Sequence, residues 1–163
     1  MTLDRIDAAI LAELQKNARL SNKELAARVG LAPSSCHERV RRLTDSGVLQ
    51  GAHAEVNREA LGIGLEAMVG VTLRSHSRGV IDSFQQTVDD HPEVVSLCYL
   101  AGATDFLIHV AVRDSDHLRD FVMDAVTSRA EVARVETSLI FSYTRAPTLP
   151  NYQVHPTDNG EPR

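Results

Sequence analysis

The spacing of apolar residues changes once along this chain. It runs in threes and fours before residue 50 and in strict twos after residue 65, so two kinds of structure must follow each other. Leu3, Ile6, Ile10 and Leu14 form one helical stripe, which predicts a helix to about Asn17. Ser21-Asn22-Lys23-Glu24 reads as a capping box, in which serine and glutamate each satisfy a backbone amide at a helix start. Leu25, Ala26 and Val29 continue that helix, and Gly30 ends it in the left-handed conformation that glycine adopts freely. Pro33 suits the first position of a third helix, where its missing N–H costs nothing. That helix is predicted to about Ser46, with Gly47 closing it. Two short strands around Gly51, within 48–57, are expected as a wing.

From Leu65 the residues Leu65, Ala67, Val69, Val71 and Leu73 alternate with their neighbours as in a half-buried strand. A helix is predicted from Arg78 to His91, where Pro92 stops it, with Val80, Phe84 and Val88 on one face. Strands follow at 94–101 and 106–112, separated by the turn composition Gly102-Ala103-Thr104-Asp105. A second helix is expected over 115–129 and a last strand over 135–143. The order β-α-β-β-α-β is the ferredoxin-like arrangement, so the fold class is α+β: a winged helix-turn-helix followed by a ferredoxin-like domain. The expected boundaries are 1–57 for the first domain, 58–64 for a hinge, 65–146 for the second domain and 147–163 for a tail. Helices cover only one face of such a sheet, and both faces carry apolar residues, so sheet-to-sheet pairing of two copies is expected. The tail holds four of the six prolines and is expected to be extended or disordered, with Leu149 and Tyr152 available to cross a neighbouring subunit.

The whole-chain charge of -5 argues against a nucleic-acid partner, but it hides an asymmetry. Residues 1–50 carry eight basic against six acidic groups, and the remainder nine against sixteen. Read at about 100° per residue, the third predicted helix turns Cys36, Val40 and Leu43 to the core. Ser34, Ser35, His37, Glu38, Arg41 and Arg42 cover the outer side, with Arg39 on a flank. With Lys23 from the preceding helix, these are the candidate contacts to double-stranded DNA. Arginine can donate two bonds to guanine in the major groove, and serine, histidine and glutamate can meet other base edges or phosphates. The small basic excess implies that affinity rests on paired placement more than on bulk charge.

Other chemistries are weakly represented. No apolar run approaches the ~20 residues of a membrane span, and Met1–Ile10 has no basic start before an apolar core, so the cytoplasm is the expected compartment. Cys36 and Cys98 show neither disulfide nor zinc spacing. Cys36 and His37 are helix neighbours pointing about 100° apart and form no catalytic dyad. Gly62, Gly64 and Ala67 satisfy a dinucleotide-binding text pattern, yet a strand follows where a helix is required. His109 lies in an apolar strand and is expected to be a satisfied core or interface histidine. No catalytic set, metal site or cofactor is expected, so the chain is expected not to be an enzyme.

Three segments carry a specific resemblance: Leu3-Asp4-Arg5-Ile6-Asp7, Leu25-Ala26-Ala27-Arg28-Val29-Gly30-Leu31 and Cys36-His37-Glu38-Arg39-Val40-Arg41-Arg42-Leu43. They closely resemble the N-terminal domain of the leucine-responsive regulatory protein (Lrp/AsnC, feast/famine) family of transcription regulators. Ala32 departs from the serine cap that many members carry. The second half is similar to the family's regulator of amino-acid metabolism domain, whose glycine-x-x-aspartate-aromatic loop is matched by Gly102-Ala103-Thr104-Asp105-Phe106. The resemblance implies a homodimer that assembles to an octamer or similar, a pseudo-palindromic operator, and a small amino acid bound between C-terminal domains. Tyr99, Ala101, Gly102 and Asp105 lie at or near that loop, where backbone amides can hold an amino acid's carboxylate and the Asp105 carboxylate can pair with its ammonium. Ser115, Thr137, Ser138, Leu139 and Ile140 fall at effector-response positions of the family. A plain hairpin turn, with Gly102 and Asp105 serving backbone geometry, is the competing reading. An architectural DNA-organising protein without a ligand and an enzyme on the ferredoxin-like scaffold are the rival functions.

Overall fold

A computed structural model describes residues 2–153. It divides into two units: residues 2–54 with 144–153, and Glu55–Tyr143.

The first unit is built on three helices, α1 (Arg5–Lys16), α2 (Asn22–Val29) and α3 (Pro33–Asp45). Asp4 caps α1, accepting from the N–H groups of Ile6 at 2.9 Å and Asp7 at 2.8 Å, and Asp7 returns the bond to the Asp4 N–H. The Ser21–Glu24 capping box starts α2 as expected, and Gly30 ends it at φ 70°. Ala32 gives α3 no side-chain cap, and the Asn22 amide ties α2 to the start of α3 by donating to the Pro33 carbonyl at 2.7 Å. Ile10, Leu25, Ala26, Cys36 and Leu43 form the core, ringed by Leu3, Ile6, Leu14, Val40 and Leu49. Burial of each large aliphatic side chain stabilises the unit by ~1.5–3 kcal/mol.

The wing strands do not form: among the described residues 48–57 there is no strand. The N–H groups of Val48 and Leu49 both donate to the Leu43 carbonyl at 3.0 Å, closing α3 where a strand would have begun. Residues 144–153 form no helix or strand, and they return to α1, where Leu149 N–H donates to the Gln15 side chain at 2.6 Å. The side chains of Leu149 and Tyr152 stay exposed. Residues 154–163 of the expected tail lie outside the described residues.

The second unit has β1 (Leu65–Leu73), α4 (Arg78–Asp89), β2 (Val94–Tyr99), β3 (Phe106–Val112), α5 (Ser115–Phe121) and β4 (Val132–Leu139). The sheet order is β2-β3-β1-β4 with every neighbour antiparallel. Ala67, Val69, Val71, Phe106, Ile108 and Val110 face the helices and bury Phe84, Val88, Leu118, Phe121 and Val126 against them. The Phe84 and Phe106 rings meet at 4.8 Å. Two expectations are corrected here. The second helix is α-helical only to Phe121, then widens to a π turn over Val122–Thr127, with Ser128 N–H reaching the Met123 carbonyl at 3.0 Å. The wider turn brings the adjacent Ala125 and Val126 into the core together. The last strand runs over Val132–Leu139 and not 135–143. After Ile140 N–H has bonded the Glu66 carbonyl, β1 offers no further partner, and Phe141 is left 97% exposed.

Candidate nucleic-acid interface and effector loop

The helix-turn-helix presents the outer face of α3. Ser34, Ser35, His37, Glu38, Arg41 and Arg42 are exposed, as is Lys23 on α2. Ser35, Glu38, Arg41 and Arg42 line an open groove that continues to Asp45 and Ser46. The three arginines differ sharply in what they touch. Arg39 donates to Asp4 Oδ2 at 2.6 Å and Asp7 Oδ1 at 2.7 Å, with its side chain 25% exposed. Arg42 donates to both oxygens of Asp7, at 2.9 and 2.8 Å. Arg41 is exposed, and among the described residues no carboxylate pairs with it. The Arg39 guanidinium clamps α3 to the start of α1. Arg42 is a half-exposed side chain committed in the same way. The Asp4 carboxyl is held below its ordinary range, first by the Asp7 N–H and next by Arg39.

In the sheet unit, the loop between β2 and β3 folds back over the end of β1. Leu100 N–H donates to the Asp105 carbonyl at 2.7 Å, and Asp105 N–H to the Val71 carbonyl at 2.9 Å. Asp105 is 6% exposed. Its carboxylate accepts from Leu73 N–H at 2.7 Å and lies 2.8 Å from His76 Nε2. Asp105 thus ties the loop to β1. Gly102 behaves differently. Its φ is not positive, and beyond its two chain neighbours no described atom lies within 4 Å of where a Cβ would stand. Tyr99 is half exposed, with its ring 5.0 Å from that of Phe106, and Ala101 is exposed.

The remaining expected effector positions do not join this loop within one chain. β1 pairs Val71 with Phe106 and Val135 at the loop end, but Leu65 with Val112 and Ala67 with Leu139 at the other. Ser115, Leu139 and Ile140 thus sit at the far end of the sheet, with Thr137 and Ser138 between. Near that far end the 3₁₀ turn Glu59–Leu61 and α5 border a shallow pocket containing Glu93, Arg113 and His117. Burial pushes the Glu93 carboxyl upward, but its own backbone N–H and His117, 3.0 Å away, outweigh burial and hold it below its ordinary range. On the open sheet face His109 is buried with Nε2 2.9 Å from Glu66, which also pairs with Arg58. It is satisfied in the manner expected.

Comparison with known proteins decides what this combination is. Residues 3–50 match the winged helix-turn-helix DNA-binding domain, and residues 66–148 the Lrp/AsnC ligand-binding domain. The chain belongs to the Lrp/AsnC family. It is 46% identical over 143 residues to the HTH-type transcriptional regulator AldR of Mycolicibacterium smegmatis, covering 88% of this chain and 84% of that protein. It is 36% identical over 137 residues to the leucine-responsive regulatory protein of Rhizobium meliloti, covering 84% of this chain and 88% of that one. Among solved structures, a Neisseria meningitidis transcriptional regulator in complex with L-Met aligns at a TM-score of 0.84 and 35% identity. That alignment covers 91% of this chain and 97% of the other.

This Lrp/AsnC chain is therefore a DNA-binding transcriptional regulator with a ligand-binding domain, and the enzyme reading is set aside because its relatives are named as regulators. Asp4, Asp7 and His76 escaped the sequence reading. The pattern Asp4-x-x-Asp7 ahead of an apolar stripe was a legible N-terminal signal, since an aspartate can take either place of a reciprocal cap. Nothing local to His76 marks it, because its partner is 29 residues away.

Proposed function

We propose that this regulator binds a pseudo-palindromic operator as a homodimer, with α3 in the major groove, and that a small amino acid modulates it. The fold places Arg41, Ser34 and Ser35 on the exposed face of α3, and the first-turn amides of α3 lack a side-chain acceptor from Ala32. A helix start of that kind favours a phosphate oxygen. The open sheet face is covered by a second copy in this reading, and further pairing of dimers gives an octamer or similar assembly. Residues 58–64, which fall within the Glu55–Tyr143 unit, serve in this reading as the hinge between the reading and sensing parts.

One observation carries the effector reading. Gly102 is a glycine that its own chain does not require, since neither its φ nor any described neighbour excludes a side chain. A glycine there serves close approach from outside, by the main-chain end of an amino acid or by a neighbouring copy that completes its site. Backbone amides of the 100–104 loop are suited to a carboxylate. Ser115 and the 137–140 stretch, at the other end of the sheet, contribute from neighbouring copies. The Neisseria meningitidis relative with bound L-Met supports an amino acid as the ligand class.

A thermal-shift screen of the twenty amino acids tests the reading. A specific ligand at about 100-fold over its Kd stabilises the folded state by ~2.7 kcal/mol. We expect one chemical group of amino acids to raise Tm and Gly102→Leu to abolish that rise with its own Tm unchanged. No response to any amino acid would favour the architectural reading.

A further inference from the structure

We infer that Asp7, with Asp4, determines DNA specificity without touching DNA, by cancelling two of the three arginine charges on the reading helix. Asp7 is 1% exposed, and every oxygen position on it is occupied: Oδ1 accepts from Arg39 at 2.7 Å and Arg42 at 2.9 Å, and Oδ2 from Arg42 at 2.8 Å and the Asp4 N–H at 3.3 Å. Asp4 adds a 2.6 Å bond to Arg39 while its other oxygen caps α1. Two carboxylates and two guanidiniums thus form one neutral cluster that joins the start of α1 to the middle of α3.

This cluster has consequences for binding. Non-specific affinity for DNA comes from cations that displace counterions from phosphates, about 0.9 in salt slope for each phosphate neutralised. Arg39 and Arg42 stand in the same four-residue run as Arg41 but enter that count only if they leave the aspartates. Asp7 therefore lowers attraction to any sequence while fixing the height and rotation of α3 over α1. Both effects favour the operator over other DNA. Sheer stability is a poorer explanation of such a cluster, because a buried ion pair is often matched by apolar residues of similar volume.

The test uses the full chain with Asp7→Asn and Asp4→Asn, titrated by fluorescence anisotropy onto a random-sequence duplex and onto its own upstream DNA over a range of salt. Asp7→Asn is expected to raise affinity for the random duplex by about 3–10-fold at low salt and to steepen its salt slope by about 1–2. The ratio of upstream to random affinity should fall. Asp4→Asn releases only one bond of Arg39 and keeps the helix cap, since asparagine caps as well as aspartate. It should shift the same quantities in the same direction by less, and it decides the matter if Asp7→Asn does not fold. Adding Arg42→Gln to Asp7→Asn should reverse the gain on random DNA. A folded variant whose random-duplex affinity and slope stay the same or fall would overturn the inference and leave the cluster a structural tie alone.

Discussion

Arg41 and Asp4 show how differently two exposed charges on one small unit can be used. Arg41 has no acidic partner among the described residues and faces the groove, so Arg41→Ala should weaken operator binding and flatten its salt slope by about 0.9, one phosphate contact. The oligomer, measured by light scattering, should not change. Equal binding at matched salt would remove Arg41 from the interface. Asp4 works inside the fold. Its carboxyl is held below the ordinary range, so its contribution to stability is fully present above the unfolded value of ~3.9 and is lost as pH falls through its lower folded value. Denaturation midpoints of wild type and Asp4→Asn should therefore differ near neutrality and converge below about pH 4. A constant gap across that range would contradict the assigned cause.

The elements themselves were readable from the sequence wherever the signal was local. Ser21 with Glu24, Pro33 and Gly30 bracket α2 and α3, and the period-two run of β1 and the strand expected at 106–112 coincide with the observed strands. Long-range pairing set the limits of that reading. Phe141 and Tyr143 continue the alternation of β4, yet β1 has ended and no ladder can extend to them. The angle of α3 placed Arg39 and Arg42 near the outer side correctly, but their partners lie 32–35 residues away on α1. Glycines divide in the same way. A Cβ on Gly64 would strike the Arg113 backbone carbonyl, whereas Gly102 faces open space. Gly64→Ala should consequently lower stability by ~1–3 kcal/mol, as overpacking against rigid backbone does, and shift the urea midpoint. Gly102→Ala should leave that midpoint unchanged. Equal midpoints for the two variants would show that the end of β3 yields where the packing indicates it cannot.

Across the whole molecule, charge is distributed by role. The chain totals -5, with an excess of acids after residue 50 and a small basic excess before it. Asp4 and Asp7, already counted in that excess, set their charge against the reading helix and leave affinity to geometry. In the proposed reading a dimer provides that geometry by fixing two α3 helices at the spacing of two half-sites about one helical turn, or a multiple, apart. An effector that changes the assembly then changes the spacing, with a coupling of roughly 1–3 kcal/mol. The sequence could show the glycine-bearing loop of the ligand domain, but not that Asp105 is spent on Leu73 and His76 while Gly102 stands open. That division became visible only once the loop was folded over β1.

Anisotropy of a duplex from its own upstream region, titrated with the full chain while each of the twenty amino acids is varied, measures DNA binding and effector response together. Tight, sequence-preferring binding is expected, with a midpoint that moves about 5–150-fold with one chemical group of amino acids. Gly102→Leu is expected to bind the duplex normally but to lose that response. Binding that no amino acid alters, or a Gly102→Leu chain that responds like wild type, would contradict the proposed function.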